Sequence, residues 1–168
     1  MHSEQIRADA IAVFPATVGR VRDYLSFTES GGRGNLISAS ALAGVPQMSS
    51  ADTWFGELEG LRVLVIHPFA ESIQRQYQRR HELFPGNPRV LPEFEELLTY
   101  IPVQSIQQVA VGWEESLTAM KTDIARMAPF FDIALLACGG WGHPLVGYIR
   151  HELHRSAIYV GGKLCRLL

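Results

Sequence analysis

A doubly wound α/β fold, with a mainly parallel sheet and helices on both faces, is what this sequence predicts. Three observations carry the prediction. Leu61 to Ile66 (LRVLVI) and Ile133 to Ala137 are short continuous apolar runs, the pattern of strands buried on both faces. Phe131 to Gly162 reads as a complete strand, glycine-rich turn, helix and second strand, and so short a crossover makes the two strands parallel neighbours. Segments with apolar residues at helical spacing alternate with the runs, as βα units require.

Length and charge narrow the function classes. At 168 residues one domain is the natural count, and such a chain buries about 70% of its unfolded surface without staples. Residues 1–60 are expected to form a helical N-terminal part with a flexible connector over 30–50, and residues 61–168 the sheet. A net charge of -2 with 19% charged residues argues against a broad nucleic-acid surface. No apolar run approaches about 20 residues and no signal pattern opens the chain, so no membrane span and a cytoplasmic location are expected. Cys138 and Cys165 sit in apolar contexts and resemble neither a metal cluster nor a disulfide framework, which fits a reducing compartment.

Taken in order, the chain opens with a mixed segment expected to be helical from Glu4 to Val13. Pro15 then starts a helix through about Glu29, with Val18, Val21 and Leu25 inward. Ser30 to Ser50 is rich in Gly, Ser, Ala and Asn; its Gly31-Gly32-Arg33-Gly34 run follows no strand and reads as a loop rather than a phosphate cradle. A short helix beginning at Asp52 ends by Gly60. After the Leu61 to Ile66 strand, His67 to Ala70 forms a turn, and a helix runs from Glu71 to Leu83 with Ile73 and Tyr77 inward. Phe84 to Pro88 is loop chemistry. A fainter strand is expected at Tyr100 to Val103. Gly112 precedes a helix from Trp113 to Met127 in which Trp113, Leu117, Met120, Ile124 and Met127 form a core stripe.

The Ile133 to Ala137 strand leads into Cys138-Gly139-Gly140-Trp141-Gly142, three glycines in five residues. Pro144 suits a first helical turn, and Leu145, Val146, Ile149 and Leu153 continue a helix to about His154. Ala157 to Val160 is the last strand, stopped by Gly161-Gly162.

In such a sheet the strand ends at His67, Gln104, Cys138 and Gly161 share one rim, where open α/β sheets bind ligands. The Gly139 to Gly142 turn at a helix start offers amide N–H groups and a positive dipole end to an anionic or phosphate-bearing ligand; the plainer reading is a tight turn with no ligand. It is not G-x-G-x-x-G, and the strand that follows ends without an acidic residue, so NAD is disfavoured. Glu71 suits a general base or acceptor of a substrate hydroxyl, with His67 a polar contact to a diphosphate or sugar. Alternatively, Glu71 is a helix-start charge and His67 a hydrogen bonder within its loop. Gln104 and Ser105 are either ligand donors or ordinary strand-end groups, and His143 either meets an anion or simply opens the helix. There is no metal-binding spacing, no G-x-S-x-G elbow and no Walker A lysine. A lone carboxylate with substrate phosphates suffices for magnesium, so metal dependence stays open.

Six blocks in one order carry a resemblance: LRVLVIHPFAESIQRQY, LFPGNPRVLPEF, VQSI, W-E-x-S-L-x-x-M, FDIALLACGGWGHPLVGYI and AIYVGG. Together, over about residues 61 to 162, they resemble a group of bacterial proteins related to surface-polysaccharide synthesis, which are similar to glycosyltransferases of the GT-D fold type. The resemblance implies a Rossmann-like fold, a nucleotide-sugar ligand with magnesium or manganese as candidate companions, and ligand-facing positions at His67, Glu71, Ser72, Gln104, Ser105, Gly139, Gly140, Gly142, Gly161 and Gly162. Members of that group begin with a further strand and helix and continue past the Gly-Gly strand, whereas this chain stops at Leu168. A truncated, inactive or partner-dependent form is therefore the alternative: a non-catalytic module whose Leu164, Leu167 and Leu168 seat a partner or a second copy. A third option is a hydrolase or other transferase acting on a small phosphorylated ligand.

Overall fold

The computed structural model of the protein describes residues 10–13, 35–38, 54–103, 112–161 and 164. Two short strands, β1 (Ala10–Val13) and β2 (Asn35–Ser38), pair in parallel with Ala10 opposite Asn35 and Val13 opposite Ser38. This corrects the expected helix over Glu4 to Val13, of which Ala10–Val13 is strand, and places a four-residue strand within the connector expected over 30–50. Four-residue segments such as AIAV and NLIS carry too little periodicity to separate strand from helix, and the pairing that decides them joins distant segments. The helix expected from Pro15 and the Gly31 to Gly34 run lie outside the described residues.

After a 3-10 turn at Trp54–Leu58, the chain builds β3 (Arg62–Ile66), α1 (Ala70–Gln78), α2 (Arg80–Leu83), β4 (Glu96–Tyr100), α3 (Trp113–Met127), β5 (Ile133–Leu136), α4 (Gly142–His151) and β6 (Ser156–Tyr159). The four later strands form one all-parallel sheet in the order β4-β3-β5-β6. Both faces are covered. Val63, Val65, Leu135 and Ala137 pack on one face with Ile73 of α1, Phe55, Leu58, Leu91 and Phe94. Leu64, Ile66, Ala134 and Leu136 pack on the other with Met120 and Ile124 of α3 and Leu145 and Ile149 of α4. The fold is thus the doubly wound, Rossmann-like α/β architecture that the apolar runs predict. Each fully buried Val, Leu or Ile side chain in these layers contributes roughly 1.5–3 kcal/mol.

Several boundaries differ from expectation. β4 occupies Glu96–Tyr100 and not Tyr100 to Val103, because Pro102 has no N–H for a ladder and confines the strand to the residues before it. The helix expected from Glu71 to Leu83 is two helices, broken where the Arg79 amide closes back on the Gln76 carbonyl. The last helix ends at His151, three residues before expected, and His154 takes a left-handed φ of 54° on the way into β6. Leu164, expected to seat a partner, is fully buried in the chain's own core; Leu167, Leu168 and Cys165 lie outside the described residues. Among the described residues no helix is long and apolar enough to cross a membrane.

The amino end of the sheet is tied shut. The Arg62 guanidinium meets both carboxylate oxygens of Asp132, at 3.2 Å from Nε and 2.6 Å from Nη2, and the Arg62 amide donates to the same carboxylate at 3.0 Å. Arg62 Nη1 also donates to the Pro129 carbonyl, and Arg155 Nε to that of Ala128. Polar atoms at the other end of the strands are engaged differently.

Candidate functional site

The strand order sets where that other end opens. From β3 the chain moves outward to β4 through α1 on one face, then returns to β5, and leaves β5 through α4 on the opposite face. β3 and β5 are adjacent, and their connections diverge to opposite sides. This is a topological switch point, where the carboxyl ends of an open sheet leave a crevice. Ladder bonds continue past the strand ends: the His67 amide donates to Tyr100, Ala137 to Ile66 and Val160 to Leu136. The turn after β3 and the glycine turn after β5 therefore stand side by side on one edge.

The β3 turn is braced by its histidine. His67 is buried, and its Nδ1 accepts the Phe69 amide at 2.8 Å while its carbonyl accepts the Ala70 amide at 3.2 Å. An Nδ1 that accepts leaves the proton of the neutral ring on Nε2. Burial lowers the imidazole's pKa below its ordinary value, which reinforces the neutral form. Phe69, whose ring lies 5.5 Å from that of His67, is 65% exposed. Glu71 and Ser72 are both exposed in the first turn of α1, and the Ser72 hydroxyl accepts from Arg75 Nη2 at 3.3 Å.

The three glycines after β5 do three different jobs. Gly139 has a φ of 59°, a left-handed conformation that side chains disfavour, and its carbonyl accepts both the Gly142 amide and, at 3.1 Å, the Tyr159 hydroxyl. Gly140 is exposed beside the ring of Trp113. Among the described residues, the amides of Gly139 and Gly140 donate to nothing. Gly142 is buried, with the ring of Tyr159 where a β-carbon would be, so its use is close packing and its amide is already engaged. His143 is half-buried with its ring edge-on to Tyr159 at 4.8 Å, and burial lowers its pKa. The Cys138 thiol lies in the core, its pKa pushed up to about 12 by burial, and it stays protonated.

Of the expected site residues, the structure brings His67, Glu71, Ser72, Gly139, Gly140, Gly142 and His143 to the ends of β3 and β5. Gly161 follows β6 with a φ of 67° on the same edge. Gln104, Ser105 and Gly162 lie outside the described residues, and β4 ends four residues before Gln104. Sequence reasoning missed the aromatic part of this edge. Trp113, read as core, is 47% exposed and stacks on buried Trp141, whose Nε1 donates to the Val103 carbonyl at 2.9 Å. The one signal for it was an indole directly after Gly112, at the end of α3 that faces this rim.

Among the described residues no three His, Cys, Asp or Glu side chains are grouped to hold a metal ion, so they do not by themselves cage magnesium or manganese. What the edge offers is two exposed glycines at a helix start whose amides donate to nothing among the described residues, an exposed carboxylate on the neighbouring helix start, and exposed aromatic surface. The amides and the aromatic surface suit an anionic ligand carrying a ring, with the carboxylate left to a hydroxyl of that ligand or of a second molecule. No protein-family model, curated protein or solved structure matches the chain.

Proposed function

We propose that the protein is glycosyltransferase-like: it binds a nucleotide-sugar diphosphate across the ends of β3 and β5 and transfers the sugar in surface-polysaccharide synthesis. One observation carries the reading, namely the exposed amides of Gly139 and Gly140 beside the HPFAES turn at the switch point of the sheet. The diphosphate oxygens accept from those amides, where the α4 dipole also favours negative charge. Glu71, exposed at the adjoining helix start, is the carboxylate suited to orient an acceptor hydroxyl and take its proton. The ordered blocks that resemble surface-polysaccharide proteins similar to GT-D glycosyltransferases supply the choice of donor class.

Calorimetric titration with UDP- and dTDP-sugars, with and without manganese, tests the proposal. Binding of at least one donor is expected, and silence across the panel removes the reading.

A second reading, a non-catalytic ligand-binding module, is favoured by the state of His67, whose Nδ1 is committed to the backbone of its own turn. Incubation with the donor that binds, followed by product analysis, separates the two. Transfer supports the enzyme, release of free sugar a hydrolase, and intact donor the binding module.

A further inference from the structure

Trp113 opens α3 and lies flat on Trp141, with ring centroids 3.6 Å apart and planes 9° from parallel. The lower ring is immobilised: Trp141 is 3% exposed and its indole N–H is spent on the Val103 carbonyl. The upper ring is not covered in the same way, since 47% of Trp113 remains exposed. A β-carbon on Gly140 would come within 3.9 Å of Cη2 of Trp113, so the uncovered ring borders the turn whose amides donate to nothing among the described residues. Leaving half of so large an aromatic surface in water forgoes burial that the core would otherwise gain. A ring held in place by stacking from below binds a second flat ring with little ordering cost.

We propose that Trp113 is a stacking platform for the base of a nucleoside diphosphate whose phosphates lie over Gly139 and Gly140. The inference rests on the reading of the glycine turn as a diphosphate site and adds what holds the other end of the ligand. The base lies on the uncovered face of Trp113 and continues the Trp141–Trp113 pile. Every base has a π-face, so this contact supplies affinity with little choice between uracil and thymine.

The test compares UDP with inorganic pyrophosphate on the wild-type chain, W113A and W113F, by calorimetry, with circular dichroism to establish that each variant is folded. W113A is expected to weaken UDP roughly 5- to 150-fold, the range for loss of one base stack. Pyrophosphate affinity stays unchanged, and W113F, which keeps an aromatic face, recovers most of the UDP affinity. The inference is overturned if W113A binds UDP as tightly as the wild type does. It is equally overturned if pyrophosphate weakens in step with UDP, because Trp113 then acts only by supporting the turn through Trp141. In both cases UDP binding by the wild type leaves the diphosphate reading standing; a wild type that binds neither probe removes that reading and this inference together.

Discussion

Gly142 lies under the ring of Tyr159, which occupies the volume a β-carbon would need. The contact is with a ring held on a second side by its hydroxyl bond to the Gly139 carbonyl, so it cannot swing away without breaking that bond. Gly142→Ala is therefore expected to cost about 1–3 kcal/mol, the range for overpacking a close contact, as measured by urea unfolding. Gly142→Ala with Tyr159→Leu should recover part of the loss. The sequence presents Gly139, Gly140 and Gly142 as one motif, and only part of its meaning is readable there. A glycine needed for a left-handed φ and one needed for space look alike until β6 brings Tyr159 alongside. For the same reason Trp113 reads as core: helical spacing puts it in the stripe with Met120 and Ile124, and its place directly after Gly112 is too slight a signal to show that the stripe leaves the core at its first residue.

Legibility among the elements follows burial. β3 and β5 are central, covered on both faces, and their unbroken apolar runs announce them; α3 begins and ends where its spacing predicts. β4 is an edge strand that begins at exposed Glu96 and is otherwise only half-buried, so ELLTY carries a weaker pattern than the neighbouring YIPV, and the expected strand slid toward the latter. The LPEF segment, read as part of a family-like block, has a structural use that periodicity does not reveal. Tyr77 of α1 donates its hydroxyl to the Pro92 carbonyl at 3.1 Å, accepts the Phe94 amide at 2.6 Å and stacks its ring on Phe94 at 4.8 Å. This clip holds the chain between α2 and β4 against α1. Tyr77→Phe keeps the stack and strips both hydrogen bonds, leaving a backbone donor and acceptor unpaired in a half-buried place. A loss of about 1–3 kcal/mol is expected in chemical denaturation, with greater proteolytic sensitivity around Pro92.

At the scale of the whole molecule, the two ends of the sheet differ: the amino edge is locked by Arg62 and Asp132, and the carboxyl edge, among the described residues, leaves the amides of Gly139 and Gly140 without an acceptor and Phe69 and Trp113 exposed. Both edges contain a group whose pKa the fold lowers, and acid should act on them in sequence. The Asp132 carboxyl is held below its ordinary range, chiefly by the hydrogen bond from the Arg62 side chain, and the His67 imidazole is held below its own by burial. For each group the unfolded chain binds a proton at a higher pH than the folded chain does, so stability falls as pH falls. The histidine arm begins below about pH 6.5, where the unfolded imidazole takes up a proton and the buried one resists; half-buried His143 adds to it in the same direction. The aspartate arm begins only below about pH 4 and is shallow, since 36% of the Asp132 side chain is exposed and solvent screens the pair. Urea unfolding followed from pH 7.5 to 3 should show two successive declines. His67→Asn, which retains an acceptor for the Phe69 amide but does not titrate, should flatten the upper decline to the part left by His143. Asp132→Asn should flatten the lower decline while leaving the upper one intact. If His67→Asn leaves the upper decline at full size, His67 is not what resists the proton, and the neutral imidazole assigned to the β3 turn is wrong.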